Sequence, residues 1–363
     1  MLGPAWLDGT AVAGSLTWSA QVTSWLGSEW LGDLPDLISG QVTWSAHASE
    51  APGVLNVDLP RYALGADWSP GRDVRHPLSH HGQELVASLT VSSPVSGRSW
   101  TRRVGRFLIE ETQTRGGTVT VQARSLTQRL HEDRLTAPLP ARGGATLASE
   151  ARRIVPARLG LVVHPALVDR RAPTIAWGDS RMEALEEIAA AWPARIRETS
   201  DGQIILLPPL PVHPSPVITL TDGEGGTVVE APRTATRRGI YNRVVARGTD
   251  EDDDGRPTVQ VVEDQADGPL AAAGPYGTVT RFFASPLIST YPAALASART
   301  MLANSVRQSS IVPVTCAPDP RLGLDDAVRL LTADGDDAGY ISGLTLPLTV
   351  SDGDMRLDVE VGA

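Results

Sequence analysis

Four groups of residues in this 363-residue chain are of types that could do chemistry. The first is the loop HPLSHH, whose His76, His80 and His81 carry imidazoles able to ligate a metal. No carboxylate stands at a ligand-like interval within it, and its spacing matches no zinc signature, so a solvated loop is expected. The second is Asp250, Asp252, Asp254 and Gly255, the D-x-D-x-D-G opening of a calcium loop. The place of the closing bidentate Glu is taken by Val261, which leaves an acidic hairpin tip as the expectation. The third comprises the carboxylate neighbours Glu110-Glu111 and Asp325-Asp326, the raw material of a glycosidase pair. Adjacent residues of a strand point to opposite faces, which is the wrong geometry for a shared substrate. The fourth is the single cysteine, Cys316, in the strand-like run IVPVTCAP. One cysteine excludes an internal disulfide and a cysteine-based zinc site, and it reads as a small buried apolar residue.

The usual catalytic signatures are missing. There is no G-x-S-x-G elbow, P-loop, dinucleotide fingerprint or H-E-x-x-H. No catalytic residue, metal or cofactor is therefore assigned, and the expectation is a protein that is not an enzyme. The 32 basic residues are all arginine and are outnumbered by 42 acidic ones, for a net charge of -10. Sequence-specific nucleic-acid binding would call for a basic face, whereas an acidic surface lets DNA pass without sticking. No apolar run reaches the roughly 20 residues that span a bilayer. The opening MLGPAWLDGT has neither a basic n-region nor a long apolar h-region, so no secretion signal is expected.

The elements around these residues are mostly strands. GSLTWSA and GQVTWSA echo one another at 14–20 and 40–46, each with alternating apolar residues. VLNVDLP, ELVASLTVS, RFLIEE and TVTVQARSL follow, the last after the hairpin signal TRGG. Two helices come next. Thr146 caps LASEARRIV, and Ser180 with Glu183 forms a capping box before Met182, Leu185, Ile188 and Trp192. RIRETSDGQIILLP reads as a hairpin turning at Asp201-Gly202, and PPLPVHPSP as a stiff connector. Pro292 suits the first turn of a helix running to about Arg307, before three further strand-like runs.

The stretch Thr236–Thr249, TRRGIYNRVVARGT, is read as the strand by which the chain re-enters a β-barrel after a helical excursion. Most of the nine tryptophans lie before residue 70, which suggests a Trp-rich core or a partner-facing surface there.

In order along the chain stand WLGSEWLGDLPDLISGQVTWSA, GRFLIEETQTRGGTVTVQARSLTQRL, DSRMEALEEIAAAWPARIRETSDGQIILLP, GEGGTVVEAPRTATRRGIYNRVVARG and PDPRLGLDDAVRLL. This succession resembles the minor tail proteins of actinobacterial phages that form the tail-tip, or baseplate, hub. The resemblance covers nearly the whole chain; the acidic loop after Gly248 and the histidine loop depart from it. It implies an α+β, mainly β, hub-like fold of two β-barrel tube-type domains with an inserted small α+β domain. The boundaries would be 1–138, 139–216 and 217–363, the last with one helix. It further implies a structural virion protein at the tail tip, assembled in the host cytoplasm. Three copies would form a ring of six barrels below the distal tail protein, converting sixfold to threefold symmetry around the DNA passage. Partners would be two further copies, the distal tail protein, the tape measure protein, and other tail-tip or fibre proteins. Arginines and aromatics are common interface anchors, which makes Arg238, Tyr241, Asn242, Arg243, Arg247, Trp25 and Trp30 the candidate interface residues. The alternative for the strand residues is that they face their own core. A different class of function, a carbohydrate-binding adhesin module, would use exposed tryptophans as sugar platforms.

Overall fold

Alternation in VLNVDLP does what it predicts: along Gly53–Pro60 every second residue is buried, with Leu55, Val57 and Leu59 in the core. The computed structural model describes residues 17–48, 51–94, 97–172, 176–235, 237, 239–250, 252, 255–285, 288–307 and 310–361. Within these, one 14-stranded sheet draws on both ends of the chain. Its main path runs Val228–Glu230, Ser310–Cys316, Met355–Val361, Gly335–Pro347, Ser39–Ser45, Gly53–Pro60, Thr118–Ser125, Arg98–Arg115, Gln83–Ser93, Thr17–Leu26 and Glu29–Asp33. The two halves meet where Gly335–Pro347 pairs antiparallel with Ser39–Ser45, from Gly343 opposite Ser45 to Pro347 opposite Gln41. One apolar core serves both halves, placing Leu55, Phe107 and Val121 in the same cluster as Val314, Leu344 and Leu357.

Trp44 sits at this seam, its ring 5.6 Å from that of Phe107. Two glycines make room for it. A Cβ on Gly53 would come within 2.6 Å of the Trp44 ring, and one on Gly105 within 2.5 Å of Phe107.

A second core collects Leu126, Leu130, Leu147, Ile154, Trp177, Leu185 and Ile188. The helices Leu147–Ile154 and Arg181–Ala191 pack there with a sheet of Leu161–Val163, Ile204–Leu207 and Arg195–Glu198. Thr146 caps its helix as expected, accepting from Ser149 N while Thr146 N donates back to Ser149 Oγ. Ser180 accepts from Glu183 N at the second helix. The hairpin turns at Gly202, whose positive φ of 83° suits glycine.

The central stretch departs from its expected place. Among its described residues only Arg243–Arg247 is a strand, and it belongs to a separate three-stranded sheet. It pairs antiparallel with Gln260–Asp264 and parallel with Thr280–Ala284, and the helix Tyr291–Arg307 covers one face. The chain rejoins the large sheet before this module, at Ile218–Thr221 beside Ala327–Thr332, and after it, at Ser310–Cys316. Val244 and Ala246 are buried in the core under the helix, while Val245 shares the other face with Arg243 and Arg247, where its cross-strand neighbours Val262 and Phe282 are exposed.

Candidate interface strand and the junction of the three cores

The candidate interface residues separate by face. Val244 and Ala246 point under the helix into the third core. Arg243 and Arg247 lie on the opposite face. Arg243 holds Asp264 through two bonds of 2.6 Å, and that guanidinium keeps the Asp264 carboxyl below the usual range. Arg247 stacks 6.0 Å from the ring of Phe282, which is 65% exposed. Tyr241 and Asn242 work inside the module. Tyr241 is buried, donates its hydroxyl to Met301 O, and burial pushes its phenol above the ordinary value. Asn242 is fully buried. Its amide nitrogen donates to Leu270 O and Gly277 O, and its amide oxygen accepts from Val279 N. An interface role does not fit Asn242, because its side chain is fully spent tying the 265–279 loop to the strand. Arg238 lies outside the described residues.

Trp25 and Trp30 face each other across the hairpin of Thr17–Leu26 and Glu29–Asp33. Trp25 is half-buried and Trp30 is exposed on the last strand of the sheet.

The other chemical groups are occupied locally. His76 accepts from Leu78 N and is pushed down by burial, His81 bonds Ser79, and His80 stacks on His81 at 4.4 Å. Asp252 accepts from Arg256 N, and Asp254 lies outside the described residues. Among the described residues no group of three or more His, Cys, Asp or Glu is arranged to hold a metal. Glu110 falls at a bulge and binds Arg124 at 2.7 Å. Asp325 and Asp326 are not on a strand but in the loop before Ala327–Thr332, and each has its own partners. Cys316 is buried as expected, and burial pushes its thiol up to about 12.

A charged cluster that sequence reasoning missed lies where the hairpin of the second core meets the large sheet. Asp325 receives Arg197 through bonds of 2.8 and 2.9 Å and is also paired with Arg195. Arg102, on the long strand, donates to Pro320 O and Leu322 O of the same loop, and desolvation lowers its pKa. Asp326 accepts from Gly323 N and is raised by burial. On the other side of the hairpin Glu198 accepts from Leu126 N, Thr127 N and Thr127 Oγ1. A cavity of about 370 Å³ separates these walls, lined by Trp44, Arg102, Arg197, Leu322, Asp325 and Leu344 among others. The charges in the wall are spent on one another and on backbone groups, an arrangement that fixes modules rather than one that activates a nucleophile. The alternating arginines of RIRE were its only local sequence signal.

No protein-family model matches the sequence, and no curated protein does. Solved structures do. The tail protein from Neisseria meningitidis MC58 aligns with a TM-score of 0.66 at 12% identity, covering 94% of this chain and 96% of its own. The 43 kDa tail protein of prophage MuSo2 from Shewanella oneidensis gives 0.63 at 15%, covering 94% and 98%. A chain of the PdpA-VgrG complex from Francisella gives 0.54 at 9%, covering 98% of this chain and 55% of its own. This chain has the tail-protein fold. Its mainly β, hub-like architecture is the one expected, with strands of both halves hydrogen-bonded in one large sheet.

Proposed function

We propose that this chain is a structural virion protein of a phage tail tip, the hub of an actinobacterial phage. The observation that carries the proposal is likeness over 94% of the chain to tail proteins, on a fold whose two ends build one joined sheet. Its units are 1–138, 139–216 and 217–363, the outer two forming the tube-type barrels. Three copies give a ring of six, matching a sixfold distal tail ring above to threefold parts below. The sheet path ends at Glu29–Asp33 and Val228–Glu230, and trimerisation would cover such edges. We assign Arg243, Arg247, Trp25 and Trp30 to contacts with partners, which include the tape measure and fibre proteins. DNA passes the acidic chain without specific binding, and no catalysis is assigned.

Deleting the gene from the genome that carries it tests the reading. The expected result is particles without a completed tail tip, restored by the gene in trans. Normal infectious tails in its absence would overturn it. A glycan array separates the adhesin alternative, since a hub binds nothing there.

A further inference from the structure

We propose that one end of the large sheet is a docking face for a protein surface whose apolar sockets are rimmed by basic side chains. Four turns are brought together there. Ser39 opposes Asp58, Pro60 opposes Thr118, and Gln41 opposes Pro347, so the loop before Ser39, the end of Gly53–Pro60, the turn at 116–117 and the turn after Pro347 share that end. Hydrogen bonds join them: Ile38 N to Asp58 O, Arg61 N to Gly117 O, and Gly40 N to Asp352 Oδ2.

This end presents apolar side chains to solvent. Ile38 is 51% exposed, Tyr62 66%, Leu64 81% and Val350 78%. Large exposed apolar groups gathered in one place mark interaction surfaces, whereas scattered ones need no explanation. Leu64 adds a second argument. It tips a two-residue hairpin between Tyr62–Ala63 and Ala66–Asp67, where Leu64 and Gly65 have φ of 53° and 78°. A turn with both central residues at positive φ favours Asn or Gly, and a leucine there is costly. The hairpin is nevertheless held rigid. Arg61 binds Asp67 with bonds of 3.0 to 3.3 Å and lies 4.9 Å over the Tyr62 ring, and Trp68 Nε1 donates to Ala63 O. A strained turn that displays a leucine on a braced support is a preorganised knob.

The rim decides the partner's charge. Asp36, Asp58, Asp352 and Asp354 stand on the same segments as the apolar set, Asp58 and Asp352 keeping their charge while accepting bonds from neutral groups, and Arg61 with Asp67 neutralise one another. On these segments the cations are Arg115, beside the 116–117 turn, and Arg356, at the start of the last strand, and Arg72 in the adjoining loop is followed by Asp73, so acids prevail. An acidic rim repels nucleic acid and anionic membrane and selects a partner rich in arginine or lysine. The inference does not depend on the tail reading.

Photo-crosslinking in the cells that make the chain tests it, with benzoylphenylalanine placed singly at 64, at 350, and at the exposed Val168 as a control, beside the second core that begins at Leu126, past the opposite end of Thr118–Ser125. Positions 64 and 350 are expected to join the same second polypeptide, different from this chain, through peptides rich in arginine or lysine. Position 168 does not join it, and raising salt to about 0.5 M before irradiation suppresses the adduct. Leu64→Asn suits the turn, so its melting temperature should hold or rise, yet it should cut the 350 adduct by roughly tenfold, a loss of about 1.4 kcal/mol in binding. Adducts to another copy of this chain, different partners at 64 and 350, no adduct at either, or an unchanged adduct in Leu64→Asn would overturn the proposal.

Discussion

Arg197 and Asp325, 128 residues apart, are joined by two hydrogen bonds of 2.8 and 2.9 Å that pin the hairpin of the second core to a loop of the large sheet. Asp325 also holds Arg195, so one carboxylate answers two guanidinium groups in a largely enclosed setting. Asn at 325 keeps the left-handed backbone, with φ of 68°, but removes the charge. Asp325→Asn is therefore expected to cost about 3 kcal/mol, because it strands two partly buried cations. Urea unfolding checks this, and a loss below about 0.5 kcal/mol, the size of an ordinary surface substitution, would show that the pair does not hold the modules.

Asn242→Ala should destabilise one module and spare the rest. It leaves Leu270 O, Gly277 O and Val279 N without their partner, for a cost of about 2–3 kcal/mol. Hydrogen exchange is expected to rise along Arg243–Arg247 and Thr280–Ala284 and to stay unchanged along Ser39–Ser45. Uniform acceleration across both sheets would contradict an independent third core.

Cys316 should be inert in the folded protein. With its thiol pushed up to about 12, essentially no thiolate exists near neutral pH, and burial blocks access. A thiol reagent at about pH 8 is expected to label nothing until denaturant is added, then one site per chain. Rapid labelling of the native protein would show that the Ser310–Cys316 strand opens.

Glu198 gives stability a pH dependence. Desolvation outweighs its hydrogen bonds from Leu126 and Thr127 and raises its carboxyl above the usual value. The folded state then binds this proton more readily than the unfolded state. Its contribution is complete below the ordinary glutamate range and is lost as pH rises through the folded value. Glu198→Gln cannot ionise, so its stability relative to the native chain should improve from about pH 4 to about pH 8. A difference that is constant with pH, or of opposite slope, would contradict the assignment.

The local grammar of the fold was legible. Alternation located Gly53–Pro60, the caps at Thr146 and Ser180 located two helices, and Gly202 located a hairpin, because each signal lies within a few residues of what it specifies. Partnering was not legible. Nothing local tells Thr43 that Thr345, 302 residues away, will lie against it at 3.3 Å. The run from Tyr241 to Arg247 reads as a barrel strand, whereas long-range pairing places Arg243–Arg247 at the centre of a separate three-stranded sheet under a helix and turns Asn242 inward. The cluster at Asp325 was hidden for the same reason, since its arginines and its carboxylate belong to distant segments.

The central claim is most directly tested by electron cryomicroscopy of intact tails, asking where this chain sits. The account predicts three copies around the tail axis, with the barrel strands of the two chain ends forming a pseudo-sixfold ring about an open lumen. Density at the tail periphery with Trp30 facing outward, or a copy number other than three, would contradict it.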